Sequence, residues 1–290
     1  IFHSVNSWNN AGFSLFKDNF IGYQSSILLN LVVTGLIIFG GIGYQVIFEI
    51  YTWLCTHFYR KPERIVFSLN FKIATSTTLF LLVIGTLAFF LTELHNPQTL
   101  GSLSFGNKVM AAWFQSVTPR TAGFNTIDIG KMTETGLFIT IALMFIGASP
   151  GGTGGGIKTT TLRVITSCTK SVLQGREEVK VYKRKVPMIL LMKATGVVFG
   201  SMATVIISTI LISMTDSKFE FIQILFEVVS AFATVGLSTG ITASLSAAAK
   251  LVLIITMYIG RVGILLLMSA LWGDPRPSAI QYPEENLLVG

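Results

Sequence analysis

Five stretches of this 290-residue chain are apolar over the length that a lipid bilayer demands. They run from about Ser25 to Trp53, Ala74 to His95, Thr135 to Ile165, Met188 to Met214 and Ser246 to Trp272. A transmembrane helix needs roughly 20 mainly apolar residues, so each stretch reads as a span. Only 12% of the residues are charged, about half the share usual in soluble domains. The fold class expected is therefore all-α integral membrane, multi-pass, in the cell membrane. A formal net charge of +7 would suggest nucleic acid in a soluble protein. Here the basic residues lie mainly between spans, where they set orientation, and no nucleic-acid partner is expected.

The connection from Leu54 to Ile73 holds Arg60, Lys61, Arg64 and Lys72, and that from Thr166 to Pro187 holds Lys170, Arg176, Lys180, Lys183, Arg184 and Lys185. By the positive-inside rule both connections and the tail face the cytoplasm, while Asp18, Asp128, Glu134, Asp216 and Glu220 face outward. Cys55 and Cys168 sit near cytoplasmic span ends, where no disulfide is expected. His3, His57 and His95 are far apart in sequence and no paired acids stand out. The chain is not expected to be an enzyme or to hold a tightly bound cofactor.

Three shorter, mixed stretches lie beside these spans: Ile1 to Tyr23, Pro97 to Glu134 and Asp216 to Leu245. Each is too polar to cross alone and too apolar for an ordinary loop. Backbone that dips into the membrane and returns is tolerated where protein or water covers it. The dips resemble one another, reading SWNNAGFSLF, TPRTAGFNTI and FATVGLSTGI, with Gly12, Gly123 and Gly236 spaced by 111 and 113 residues. The repeat unit is span, dip, span. Two and a half units are visible where a closed ring would want four, so the chain is expected to lack its first unit and the opening helix of the second. The unit boundaries fall at 1–60, 61–175 (with a broken helix at 145–160), 176–273 and a cytoplasmic tail at 274–290.

An ion crossing a bilayer must exchange its water for other oxygens, and a ring of backbone carbonyls can supply them. Glycine lets successive carbonyls aim at one axis and leaves the lumen open. The half-helices read at Lys108–Ser116 and Phe219–Phe232 would point their partially negative C-terminal ends at a cation. No carboxylate adjoins the three glycines in sequence, so carbonyls rather than acids are the expected selector. A surface loop with a turn glycine would explain one dip, but not three in register.

The dips NNAGF (Asn9 to Phe13), TPRTAGFNT (Thr118 to Thr126) and FATVGLSTG (Phe232 to Gly240) resemble filter loops two, three and four of the Ktr/Trk/HKT superfamily of potassium transporters, nearest to its Ktr membrane subunits. The likeness extends to the terminal RPSAIQYPEENLLVG. It implies four helix–pore hairpin–helix units around a pseudo-fourfold pore, with about two and a half present here. It implies potassium bound at Gly12, Gly123 and Gly236, with filter neighbours Asn10, Ala11, Thr121, Ala122, Thr234 and Val235. It also implies a homodimer on a KtrA-like cytoplasmic nucleotide-binding regulatory ring, with membrane lipid as the surrounding partner. Transport would run down the electrochemical gradient, at about 2.3 kcal/mol per charge per 100 mV. The alternatives are a sodium-conducting relative or a sodium-coupled carrier. Such carriers usually carry inverted repeats, whereas these dips all open the same way.

The third span is interrupted by FIGASPGGTGGGIKTTTLR. Glycines at Gly151, Gly152, Gly154, Gly155 and Gly156 each cost a helix about 1 kcal/mol, and Pro150 about 3 kcal/mol. Unwound backbone at membrane depth lines water or protein, and a flexible loop on the cytoplasmic side of a filter reads as a gate, as the family likeness also implies. A nucleotide-binding loop is excluded, because Ile157 separates glycine from Lys158 and no strand precedes. A small-residue packing face is the other reading; it suits Gly35, Gly40, Gly41 and Gly43 better. Thr153 belongs to the same gate. Lys158 either binds loop carbonyls or marks where the helix resumes with Arg163. Arg261 lies mid-way through the last span, where burial in lipid costs roughly 2.5 kcal/mol or more. The family likeness gives it as a pore-facing arginine opposite the gate, expected to donate to carbonyls of residues 151–156.

Overall fold

Short polar side chains start the long helices of this protein. Ser26, Ser68, Thr133 and Ser246 stand in extended conformation one residue ahead of four of them, and each hydroxyl accepts from a first-turn amide. Such caps satisfy amides that have no intrahelical partner. Carboxylates then pin two caps to the helix before. Glu93, fully buried, accepts from the Thr133 amide at 2.9 Å and its hydroxyl at 2.6 Å. Asp216 accepts from the Ser246 amide at 3.1 Å and its hydroxyl at 2.6 Å. In each case the acid ends the first helix of a repeat unit and the cap begins the second. On the opposite side Glu49 holds Ser68 in the same way.

The structure, a computed structural model, describes residues 1–59, 66–176 and 178–272. Arg60, Lys61 and Arg64 of the first basic connection, and the tail expected at 274–290, lie outside them. Eleven α-helices occur among the described residues: α1 (Phe2–Trp8), α2 (Ile27–Ile42), α3 (Tyr44–Phe58), α4 (Leu69–Glu93), α5 (Phe105–Val117), α6 (Glu134–Phe145), α7 (Thr159–Leu173), α8 (Met188–Thr215), α9 (Phe221–Phe232), α10 (Ala247–Val262) and α11 (Ile264–Trp272). The described strands are a two-residue ladder between α7 and α8, pairing Lys180–Val181 with Arg184–Lys185. The half-helices expected at Lys108–Ser116 and Phe219–Phe232 are α5 and α9.

The expectation of continuous helices through the first and last of the five spans needs correction, whereas the third is broken as expected. Only α4 and α8 are single helices long and apolar enough to cross, among the described residues. The stretch from Ser25 to Trp53 bends by 104° between α2 and α3. The hinge is Gly43, whose φ of 98° is one that residues with a side chain rarely adopt. The last stretch breaks likewise at Gly263, φ 84°, between α10 and α11. The third breaks at residues 146–158, as its glycines and proline require. The helix that precedes a hairpin is thus unbroken, and the helix that follows is interrupted in all three units. Arg261 is consequently not mid-helix. It occupies the last turn of α10, where a cation meets the partially negative helix end.

The packing is turned outward as a bilayer requires. On α8 the buried positions include Ala194, Ser201, Ser208 and Thr209, while Phe199, Ile206, Ile207, Ile210 and Met214 are exposed. Small and polar residues let membrane helices approach closely; the Ser208 and Thr256 hydroxyls join α8 to α10 at 2.8 Å. The apolar core lies around α6, α9 and α10, with Phe89, Met144, Phe226 and Phe232 buried in it. A second cluster, Ile37, Phe114 and Phe124 with Phe20, fixes the first hairpin against the second. Cys55 and Cys168 are free thiols.

Candidate functional site

Helices α1, α5 and α9 each run into a reversal of the chain, and the three reversals are built alike. Two residues of each have positive φ: Asn10 (51°) with Gly12 (73°), Thr121 (71°) with Gly123 (78°), and Thr234 (53°) with Gly236 (89°). Threonine at positive φ is rare because its branched side chain crowds the backbone, and such conformers cost about 1–3 kcal/mol unless their surroundings hold them. Holding bonds are present. The carbonyls of Asn6, Thr118 and Ser230 accept from the Ala11, Ala122 and Val235 amides at 3.1, 3.0 and 2.8 Å. The side chains of the same three residues reach past the glycine. Asn6 Oδ1 accepts from Phe13 N at 3.1 Å, Ser230 Oγ donates to Leu237 O at 2.6 Å, and Thr118 Oγ1 donates to Phe124 O. These straps were absent from the sequence reading. Their one trace is a polar residue near the end of each short helix, in the middle unit one place nearer its glycine.

The reversals meet at their glycines. A Cβ built on Gly12 would lie 2.8 Å from the Ala122 carbonyl oxygen and 3.1 Å from the Gly123 Cα. One on Gly123 would overlap the Val235 carbonyl oxygen, and one on Gly236 would lie 4.0 Å from the Gly123 Cα. Side chains are therefore excluded from the meeting point, which is faced by main-chain oxygens of Ala122 and Val235. The C-terminal ends of three helices lead into this point, adding negative potential. Around it Asn10, Thr121 and Thr234, one per hairpin, keep side-chain polar atoms buried without a hydrogen-bond partner.

The glycine-rich loop between α6 and α7 is lodged against the same three hairpins. Gly147 N donates to Ile157 O at 2.9 Å and Ile157 N to Phe145 O at 3.2 Å, closing the loop at its base. Ser149 N and Thr153 N donate to Gly41 O and Gly40 O, at 3.0 and 3.1 Å, and Tyr44 N donates to Gly151 O at 3.2 Å. The loop is thus laced to the hinge between α2 and α3. A Cβ on Gly154 would overlap the Thr121 hydroxyl, and one on Gly155 would lie 2.5 Å from Thr234 Oγ1. The Thr153 hydroxyl faces Trp8 O at 3.5 Å. Gly40, Gly41 and Gly43 pack on Trp8, Asn10 and Pro150, whereas Gly35 has open space around it. Lys158 stands one residue ahead of α7, and its Nζ donates to Gly154 O at 2.6 Å, so the two placements expected as alternatives occur together. Arg261 donates through Nη1 to the carbonyl of Thr153.

Sequence adjacency missed Glu227. It lies nine residues before Gly236, is 5% exposed, and lines with Gly236, Ser238 and Ala11 a cavity of about 280 Å³. No cluster of three or more His, Cys, Asp or Glu able to hold a metal occurs among the described residues.

Helices that present apolar surface outward, three hairpins converging on main-chain oxygens and an unwound loop against them make the architecture of a helical membrane protein. The chain belongs to the TrkH family of cation transport proteins, whose model matches residues 1–271. It is 40% identical to the Ktr system potassium uptake protein B of Vibrio alginolyticus and 39% identical to that of Bacillus subtilis, in each case over 100% of this chain. It is 37% identical to the potassium/sodium uptake protein NtpJ of Enterococcus hirae. The chain spans 62–63% of the length of these relatives. Its fold matches the crystal structure of the potassium transporter TrkH from Vibrio parahaemolyticus with a TM-score of 0.73 and 21% identity, over 93% of this chain and 57% of that one. These relatives are named as potassium uptake proteins, a potassium/sodium uptake protein and a potassium transporter, and the chain is a multi-pass membrane protein.

Proposed function

We propose that the chain carries potassium into the cell through the meeting point of its three hairpins, as part of a ring of four. The supporting observation is the convergence of Gly12, Gly123 and Gly236 on carbonyl oxygens of Ala122 and Val235. A dehydrated monovalent cation there would exchange water for fixed main-chain oxygens. The residues assigned to the filter are Asn10, Ala11 and Gly12, Thr121, Ala122 and Gly123, and Thr234, Val235 and Gly236. The loop from Gly151 to Gly156 is the gate, closed by Lys158 and Arg261, whose charges repel a cation and whose hydrogen bonds hold the loop.

The names of three relatives in the potassium uptake class support the choice of ion. The name of the Enterococcus relative includes sodium, which makes sodium the second reading. A Ktr system protein lettered B supports a further component, and we assign to it a cytoplasmic nucleotide-binding ring docked on the basic segment that includes Lys180, Lys183 and Lys185, with the membrane protein as a homodimer. The test is growth of an uptake-deficient host at low external potassium, expressing the protein at its natural length. Growth should be rescued by the wild type and lost with Gly236→Ser. Rescue unaffected by that change, or sodium uptake without potassium uptake, would overturn the assignment.

A further inference from the structure

Two of the three hairpins share a brace that no filter residue supplies. His3 and Glu227 both stand nine residues before their glycine, Gly12 and Gly236. His3 Nε2 lies 3.4 Å from the Ser14 hydroxyl and 3.3 Å from the Leu15 amide, which donates to it. Glu227 Oε1 accepts from the Ser238 hydroxyl and, at 3.0 Å, from the Thr239 amide. Ser14 and Ser238 are each two residues beyond the glycine, Leu15 and Thr239 each three. The match extends to the bonding atoms, although one acceptor is an imidazole and the other a carboxylate. Glu227 adds a further bond, its Oε2 accepting from Thr242 Oγ1 at 2.7 Å.

The middle hairpin departs from the pattern for a traceable reason. Its strap residue, Thr118, is five residues before Gly123, whereas Asn6 and Ser230 are six before theirs. The one-place shift makes Gln115 the counterpart of His3 and Glu227. Gln115 is buried, its Nε2 faces Met132 Sδ at 3.7 Å, and its Oε1 has no partner. Here the chain two residues past the glycine is held from outside instead, by the Phe20 amide donating to Asn125 O at 3.0 Å.

We propose that His3 and Glu227 are positioning residues that brace the limb beyond Gly12 and Gly236 and thereby set the ion selectivity of the meeting point. This rests on the filter reading above. Fixed ligands need support from a surrounding shell, and a buried carboxylate with several donors is a strong brace. Removing it takes the acceptor from the Thr239 amide and leaves the Ser238 and Thr242 hydroxyls, 2.8 Å apart, able to pair only with each other and with nearby backbone. The freed limb would then let the glycine and its neighbouring carbonyls relax around a smaller ion.

The experiment measures rubidium and sodium uptake by the natural-length protein in liposomes, normalised to the amount inserted. Glu227→Gln keeps an oxygen acceptor and should hold the rubidium-to-sodium ratio within about twofold of wild type, whereas Glu227→Leu should lower it about tenfold. Ser14→Ala with Ser238→Ala, which alters only two half-buried hydroxyls, should lower it several-fold. The ratio is the informative readout, because a merely structural defect reduces both fluxes together. An unchanged ratio in Glu227→Leu overturns the proposal; if that variant does not insert, an unchanged ratio in the double serine variant does so. Equal loss in Glu227→Gln and Glu227→Leu also overturns it. A wild type that transports neither ion refutes the filter reading instead.

Discussion

Among glycines 151–156, Gly154 is where an added side chain would meet a hairpin most closely, and a single methyl group there tests whether that contact is a gate. Gly154 is not among the residues at positive φ, so alanine is compatible with its backbone. The added Cβ would overlap the Thr121 hydroxyl and would lie 2.8 Å from the Ala148 Cβ and 2.9 Å from the Thr121 Cβ. Carbon atoms rest about 3.5–4.0 Å apart, so the loop must retreat by roughly half an ångström or more. Overpacking of this kind costs typically about 1–3 kcal/mol. Applied to the seated loop alone, it multiplies the unseated population about 5–150-fold. Rubidium uptake into liposomes, per inserted protein, should therefore rise at least several-fold in Gly154→Ala. Combining it with Thr121→Ala, which removes the overlapped hydroxyl, should return part of the effect in a double-mutant cycle. Unchanged or reduced uptake in a protein that inserts and folds normally would refute the reasoning, because the methyl would then have been absorbed without unseating the loop.

Further outcomes follow from neighbouring residues. Arg261→Ala removes both a positive charge and its hydrogen bond to the Thr153 carbonyl; bonds to charged groups contribute about 1.5–3 kcal/mol, so uptake should rise, and an unchanged rate counts against the role given to Arg261. Outside the spans, the Ser246 hydroxyl donates to Asp216 and holds its carboxyl below the ordinary carboxylate range. A depressed pKa means that the ionised form supports the fold, with stability present above the unfolded value near 3.9 and lost as pH falls through the folded one. Ser246→Ala should move the acid limb of a thermal-stability profile to higher pH, and an unmoved limb would contradict the assignment.

Legibility in the sequence followed the range of each interaction. The glycines at 12, 123 and 236 were visible because three copies of a short motif sat in register, and the unwound loop because Pro150 and five nearby glycines cannot sustain a helix. The bend at Gly43 and the interruption at Gly263 were hidden by apolarity, which reports depth in a membrane but not direction. A clue existed, since α2 and α10 each end after 16 residues at a glycine that apolar residues follow. Arg261 was misplaced for the same reason. Glu93, Glu227 and the straps at Asn6, Thr118 and Ser230 depend on partners brought together by the fold. The one-residue shift in the middle hairpin, which makes Gln115 rather than Phe114 the positional counterpart of His3 and Glu227, conceals their equivalence from any fixed spacing.

The most direct measurement is anomalous diffraction from crystals of the natural-length protein grown with rubidium in place of potassium. A peak in contact with the Ala122 and Val235 carbonyl oxygens, beside Gly12, Gly123 and Gly236, is the predicted result. Rubidium bound elsewhere in the protein, with the meeting point of the three hairpins empty, would contradict the account.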